Sequence, residues 1–392
     1  MERAFDIIVF GATGYTGRLV PEHLLKVYGL SKDLTWAIAG RNRFKLEQIR
    51  SEIGASSLPL IIADSSDTAS LAAMARRSKV IISAVGPYAL YGSELVQACA
   101  MEGTDYVDIT GESTWISDML VHEPTAKASG ARIVFSCGFD SIPFEAGVYF
   151  LEKMAMKTFG VPLPRVRARI RELHGGIRGG TSGGSLATGI NLISAMQRTP
   201  RLGMVWMDPF ALTPGFKGTE QPDANVAYED KVAGSWVGPW VMAAINSKSV
   251  HRCNFLLGFP WGKDFKYDEM SMIDGPPSGV PAPNPFEDPN RPKPGEGPSK
   301  ADREGGHYDI LFIGEAADGQ ALRVSVKGNT DAGADSTARM LTESAVCLVR
   351  DVPRDKTRGG MWTSCSAMGD ALIKRLEANA GITFQIESPR AP

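Results

Sequence analysis

Three glycines spaced three apart, Gly11, Gly14 and Gly17 in FGATGYTG, come directly after an apolar run that ends at Phe10. A strand that stops at such a loop and continues as a helix leaves amide N–H groups unpaired at the positive end of the helix dipole. That is where a diphosphate docks. In this arrangement Gly11 permits the tight turn, Gly14 lets the backbone approach the phosphates, and Gly17 lets the helix pack on the strand, the helix beginning near Gly14. Thr13, Tyr15 and Thr16 complete the loop. The competing reading is a loop with only a structural role. The next apolar run ends in AGRNRFKL, where an acid for a ribose 2′-hydroxyl is missing. Arg41, Arg43 and Lys45 stand there instead, with Asn42 between them, and cations match a 2′-phosphate. The expected cofactor is NADP(H).

Further along, other residue types stand where a bound nicotinamide would need them. Asp64, after a third apolar run, is placed either to accept from an adenine amino group or to cap the following helix. Small residues Ala84, Val85 and Gly86, then Pro87, let the chain lie along the nicotinamide side of a cofactor. Tyr88 follows as a pocket wall or a proton donor. In CGFDSIP, Asp140 and Ser141 either position a substrate oxygen or the nicotinamide amide, or only form the turn. GGTSGGS (Gly179–Ser185) reads equally as a cradle of backbone donors or as a linker. Ser136, Tyr149 and Lys153 have the spacing of a short-chain-dehydrogenase set, in which the lysine lowers the tyrosine pKa for proton transfer. The glycine and proline around Ser136 make a different turn, which favours Tyr149 and Lys153 as plain helix residues. Histidines stand at no metal-ligand spacing from one another, so a metal site is not expected.

These residues need a frame. Phe5–Gly11, Leu34–Gly40, Leu58–Asp64, Lys79–Gly86, Asp105–Thr110 and Ala131–Gly138 read as strands, most of them continuous apolar runs as buried parallel strands require. Helical spacing fills the gaps between them. The expected fold is α/β: an N-terminal Rossmann doubly wound parallel sheet over residues 1–140, then a second α/β domain on a mixed or antiparallel sheet over 141–350. Within the latter, RVRARIREL alternates strictly, so Arg165, Arg167, Arg169 and Arg171 share one face of a half-exposed antiparallel strand. That face is either solvated or a grip for an anion. HYDILFIGEA and ALRVSVKG read as a hairpin turning at Asp318-Gly319. Residues 275–306 are rich in proline, glycine and charge and read as a long loop without helix or sheet. Residues 334–350 and 367–376 look helical, and 351–392 is expected to return a helix to the first domain.

Bulk composition agrees. The 392 residues are 43% hydrophobic, enough for a large core, and carry a net charge of −2. No basic field exists to hold nucleic acid. Five scattered cysteines imply free thiols and no disulfide framework. Neither a signal sequence nor an apolar stretch long enough to span a bilayer is seen, so a soluble cytoplasmic protein is expected.

Taken in order, FGATGYTG, AIAGRNRFKL, SAVGPYALYG, DYVDITGE, CGFDSIPFEAG and GHYDI resemble the saccharopine dehydrogenase-like oxidoreductases, nearest the trans-acting enoyl reductases. GGTSGGSLAT, DPFAL and AMGDALIKRL continue the resemblance over most of the chain. It implies a cleft between the two domains and NADPH-dependent reduction of a C=C, C=O or C=N bond in a small apolar or carrier-bound molecule. A polyketide or fatty-acid synthase acting in trans would supply the latter, and a homodimer is a further expectation. Where some relatives carry a long apolar segment before GHYDI, this chain has the proline-rich stretch. The alternatives are a short-chain-type ketoreductase using Ser136, Tyr149 and Lys153, or an NADPH-binding scaffold without turnover.

Overall fold

A computed structural model describes residues 3–175, 181–277, 284 and 286–388. The first six apolar runs form β1 (Phe5–Phe10), β2 (Trp36–Gly40), β3 (Leu60–Ile62), β4 (Ser78–Ser83), β5 (Asp105–Asp108) and β6 (Arg132–Val134). Among them lie α1 (Leu19–Tyr28), α2 (Arg43–Glu52), α3 (Thr68–Ala75), α4 (Tyr88–Tyr91), α5 (Ser93–Glu102), α6 (Ser113–Met119) and α7 (Glu123–Ser129). The middle of the chain gives α8 (Ile142–Thr158), β7 (Arg165–His174), α9 (Gly183–Arg198), α10 (Pro200–Met207), β8 (Tyr228–Asp230), β9 (Ser235–Pro239), α11 (Ala243–Leu256) and β10 (Lys266–Ile273). The last part gives α12 (Lys300–Glu304), β11 (His307–Glu315), β12 (Ala321–Gly328), α13 (Thr337–Arg350), β13 (Gly360–Trp362), α14 (Ser364–Arg375) and β14 (Ile382–Glu387).

The first sheet has the order β13-β6-β5-β4-β1-β2-β3 with every pair parallel. Both of its faces are buried, which explains the continuous apolar runs. Ile7 and Val9 turn to the core shared with α1 and α13, and Ile8 and Phe10 to the core shared with α3 and α5. The second sheet has the order β14-β12-β11-β7-β10-β9-β8. It is mixed: β7 runs antiparallel to β11 but parallel to β10. The hairpin of β11 and β12 turns at Asp318-Gly319 as its register demands.

Helix α8 lies between the two sheets. Its Phe144, Val148 and Leu151 carry the first core on into Val166, Ala168, Ile170, Phe312, Val324 and Val326 of the second sheet, so one hydrophobic body joins the domains. The contact is close enough that a Cβ on Gly147 would stand 2.2 Å from the Phe312 ring. Beyond residue 351 the chain reaches both sheets, β13 pairing with β6 and β14 with β12. All five cysteines are buried free thiols. No helix among the described residues is long and apolar enough to cross a membrane.

Two expectations change. The arginine face of β7 is neither solvated nor free to hold an anion. Arg165 pairs with Asp268, Arg167 with Glu315, Arg169 with Asp230 and Asp268, and Arg171 with Asp309 and Glu387. Arg169 is fully buried among them. Strands β8, β10, β11 and β14 of the same sheet supply the carboxylates, which the alternation within one strand cannot reveal. The proline-rich segment does hold a helix, α12, because Ser299 and Asp302 form a reciprocal capping box at its start.

The Gly147–Phe312 contact yields a test. Gly147→Ala places a methyl where the ring stands and is expected to cost about 1–3 kcal/mol, read as a lower denaturant midpoint at unchanged slope. An unchanged midpoint means the ring moves aside freely.

Candidate functional site

The glycine loop leaves the carboxyl end of β1 and folds back on itself. Gly11 has φ +90°, and a Cβ there would lie 2.7 Å from Val85 Cγ2 and 2.9 Å from the Ala84 carbonyl carbon. A Cβ on Gly17 would lie 2.1 Å from the Gly11 oxygen. Both positions therefore exclude any side chain. Gly14 is less crowded, its nearest neighbour standing 3.4 Å from a built Cβ, and its amide donates to Gly11 at 2.9 Å. Regular helix starts only at Leu19, later than the sequence suggests. Among the described residues the amides of Thr13, Tyr15 and Thr16 meet no backbone acceptor. The loop is a cradle with unspent donors and no side chain in the way, which fits a diphosphate.

At the end of β2, Arg41 is exposed and, among the described contacts, forms no salt bridge. Asn42 caps α2 by accepting from the Lys45 amide at 3.0 Å, which leaves the exposed Lys45 side chain at the same corner. Asp64 stands nearby. Its Oδ1 accepts from the Ser66 amide and hydroxyl, and these bonds, with Arg41 adding to them, hold the carboxylate below its ordinary range. The cap of α3 is Asp67, so Asp64 does not serve as that cap. This corner fits a phosphorylated ribose.

Ala84 follows β4, its amide bonded to Phe10, and the chain from Val85 to Pro87 runs beside the glycine loop. Glu112, from the DYVDITGE segment, holds that stretch in place. Its carboxylate accepts from the amides of Tyr88 at 2.5 Å and Ala89 at 3.1 Å at the start of α4. Asp108 does the same for the loops after β5 and β6, accepting from the Thr110 and Ser136 amides and the Tyr106 hydroxyl. Burial nonetheless pushes the Asp108 carboxyl up to about 7. Sequence reasoning missed both acids as positioning groups, although DYVDITGE carried them in plain view.

The three expected catalytic residues separate. Tyr88 is buried, donates to the Ser83 carbonyl at 2.9 Å, and is held well above the ordinary phenol range, first by burial and then by Asp108. Its proton is committed to that carbonyl, and it does not line the cleft. The Ser141 hydroxyl is also buried and meets Ser249 of α11 at 3.1 Å. Asp140 alone lines the cleft. Its Oδ1 is sealed from solvent without a hydrogen-bond partner among the described residues, and burial pushes its carboxyl up to about 7. Its backbone is anchored by its neighbour: Phe139 donates to Thr337 at 3.1 Å and packs edge-on against Phe144 and Tyr308.

The Ser136–Tyr149–Lys153 set is not assembled. Ser136 donates to the Thr110 carbonyl at 2.7 Å, whereas Lys153 pairs with Asp370 on α14 at 2.5 Å. Tyr149 sits along α8 about 10 Å from its start, over Gly369.

The cleft is a cavity of about 100 Å³ between the glycine loop (Tyr15, Thr16), the Asp140 loop, Ser182 capping α9 and Ser185 within it, and Met242. Gly179 and Gly180 of the proposed cradle lie outside the described residues. The proline-rich segment closes the cleft as a strap. Tyr15 donates to the Pro298 carbonyl at 2.5 Å, and Arg303 reaches both of these while pairing with Asp335. Gly183 donates to Glu296 at 3.0 Å, and a Cβ there would stand 1.9 Å from the Lys293 oxygen.

A parallel sheet whose carboxyl-end loops build a dinucleotide cradle, facing a mixed-sheet domain across a cleft, defines a two-domain nicotinamide-dependent oxidoreductase. Residues 7–134 match the family described as the saccharopine dehydrogenase NADP binding domain. The chain is 35% identical to a trans-acting enoyl reductase of Mycobacterium tuberculosis, over 98% of each chain, and 35% identical to one of Mycobacterium ulcerans, over 96% of each. Its fold is similar to that of the apo saccharopine dehydrogenase (L-Glu forming) of Saccharomyces cerevisiae, with a TM-score of 0.56 at 12% identity over 98% of this chain and 100% of that one. The chain belongs to the saccharopine dehydrogenase-like family, closely related to the mycobacterial trans-acting enoyl reductases, and is an NADP-dependent oxidoreductase.

The strap is testable directly. Gly183→Ala forces the 293–296 stretch away from α9, and limited proteolysis is expected to cut within 286–298 several times faster than in the parent chain. Equal cutting rates would mean the strap is not held there.

Proposed function

We propose that this enzyme reduces the conjugated C=C bond of an apolar enoyl substrate, either small or carried by a polyketide or fatty-acid synthase acting in trans, and that Asp140 donates the proton. The single observation that carries this reading is Asp140: a residue lining the cleft, with a buried, unpaired Oδ1 and a pKa of about 7. The names of the full-length relatives support the choice of bond. Bound NADPH supplies the hydride. The loop amides of Thr13, Tyr15 and Thr16 would hold its diphosphate between Gly11, Gly14 and Gly17, Arg41 and Lys45 its 2′-phosphate, and Asp64 would border the adenosine. Ala84, Val85, Gly86 and Pro87 would flank the nicotinamide.

The chain's own residues then have separable tasks. The Gly11–Ala84 contact sets the depth of the cradle. The strap and Met242 exclude water, which strengthens any charge interaction inside. Asp140 holds a proton on a carboxyl that burial keeps half neutral near pH 7 and passes it to the carbon next to the activating carbonyl. Glu269 is the neighbouring acid on which the Asp140 charge acts. It is buried, bonded to Asn246 and Tyr267, and pushed up first by burial and also by Asp140. Two such carboxyls resist carrying charge together.

Asp140→Asn is expected to lower kcat by about 10²- to 10⁴-fold with NADPH affinity unchanged, measured on an enoyl thioester panel with deuteride tracing. Full turnover in the variant removes Asp140 from the reaction. Because the acid must be protonated, the parent kcat should fall as pH rises through about 7. The same shift acts on stability. An unfolded aspartate ionises near about 4 and the folded one near 7, so folding stability is lost as pH rises across that window. Asp140→Asn should therefore melt higher than the parent at pH 8 and lose that advantage at pH 4. Arg41→Ser should weaken NADPH by roughly 10- to 100-fold and leave NADH binding unchanged by calorimetry. Equal losses for the two would assign Arg41 another role.

A further inference from the structure

The far end of the β7–β11 ladder holds a cluster that the reductase reading does not use. His174, the last residue of β7, lies directly opposite His307, the first of β11. Their rings stack with centroids 4.3 Å apart and planes 23° from parallel. Glu172 lies two residues before His174 on the same strand, and its Oε2 stands 3.4 Å from His307 Nε2. One nitrogen from each ring and one carboxylate oxygen all fall within 4.8 Å of one another, on the exposed side of the sheet. Leu173 and Tyr308, between them, point into the core and fix the backbone on which the three polar residues sit.

The setting separates this cluster from the rest of that sheet face. Elsewhere on β7 each arginine meets a carboxylate, and Asp309 is already taken by Arg171 and Lys327. Among the described contacts Glu172 meets no arginine or lysine and faces only imidazole. The register of β7 and β11 shifts at Asp309, and beyond that irregularity Glu172 falls opposite Asp309 and His174 opposite His307. Two imidazoles and a carboxylate converging from adjacent strands are the donor set of a first-row divalent ion, with zinc the best match to exposed N₂O ligation completed by water. We infer that Glu172, His174 and His307 form a Zn²⁺ site that pins the β7–β11 corner. His174 leads directly into Gly175, where a Cβ would lie 3.1 Å from Asp331 and 3.2 Å from Gly306. The corner therefore adjoins both the Asp331 edge of the cleft and the end of the strap. An ion there would tie β7 to β11 next to both.

The experiment uses the full chain without an affinity tag and without NADPH, so it is independent of the proposed reaction. Titration with Zn²⁺ is expected to show one saturable site per chain, and the melting temperature should rise with Zn²⁺ concentration, since an ion that binds only the folded state stabilises it. Co²⁺ at the same site should give visible d–d bands that report nitrogen and oxygen ligands. The double variant His174→Gln, His307→Gln keeps a polar corner but removes both imidazoles. It should fold with unchanged circular dichroism, lose the isotherm and the cobalt bands, and melt at a temperature indifferent to zinc. Glu172→Gln alone should weaken zinc about tenfold or more. No saturable binding in the parent chain, or binding of equal strength in the double variant, overturns the site.

Discussion

The glycine loop packs backbone against backbone. The Gly11 oxygen occupies the space a Gly17 side chain would need, and Gly11 itself lies against Ala84 and Val85. In the proposed cofactor placement this point would set how far a diphosphate sinks toward the sheet, and with it where a nicotinamide would lie along Ala84–Pro87. No larger residue is tolerated at either glycine: at Gly17 the atoms met are main chain and cannot rotate away, and at Gly11 the Ala84 main chain and a φ of +90° act together with the Val85 side chain. The parallel sheet below supplies the stiffness, since its strands are locked on both sides and cannot slide to relieve a clash.

Around this point the chain uses buried carboxyl groups as joints. Glu112 holds the start of α4, and Asp108 gathers the loops after β5 and β6. Glu145 of α8 accepts from Thr363, Ser364 and Cys365 at the start of α14, tying the late part of the chain to the helix between the sheets. Arg132 pairs with Asp105 and reaches the carbonyls of Leu348 and Val352, and Arg252 of α11 reaches those of Leu212 and Met361. Burying such groups costs free energy unless their bonds are met, so each joint tolerates one geometry and few alternatives. Among the described residues two acids keep a buried oxygen unmet, Glu152 at Oε1 and Asp140 at Oδ1, and of the two only Asp140 lines the cleft.

The closed cleft carries a second implication. A cavity of about 100 Å³ is smaller than the several hundred a small-molecule site usually offers. Tyr15, Pro298 and Arg303 draw the strap down onto the glycine loop itself. The glycine loop and the strap are thus tied through the Tyr15 side chain.

Much was legible in the residues alone. The continuous apolar runs require strands buried on both faces, glycines at 11 and 17 follow from a loop that doubles back on itself, and the missing acid after β2 points to a phosphorylated ribose. Each of these is a local rule, decided by neighbours within a few positions. What needed the tertiary structure is whatever depends on a partner distant in the chain. Four arginines on one strand look like a free cationic face until β8, β10, β11 and β14 bring Asp230, Asp268, Asp309, Glu315 and Glu387 beside them. Tyr88, Asp140 and Ser141 are equal candidates in a string of letters, and only burial shows that two are committed to Ser83 and Ser249 while one is not. His174 and His307 stand in no motif, yet β-pairing sets them face to face. Periodicity along the chain records which side of an element is buried; it holds no record of what lies against that side, because the contact is made between segments whose separation in sequence carries no local signal.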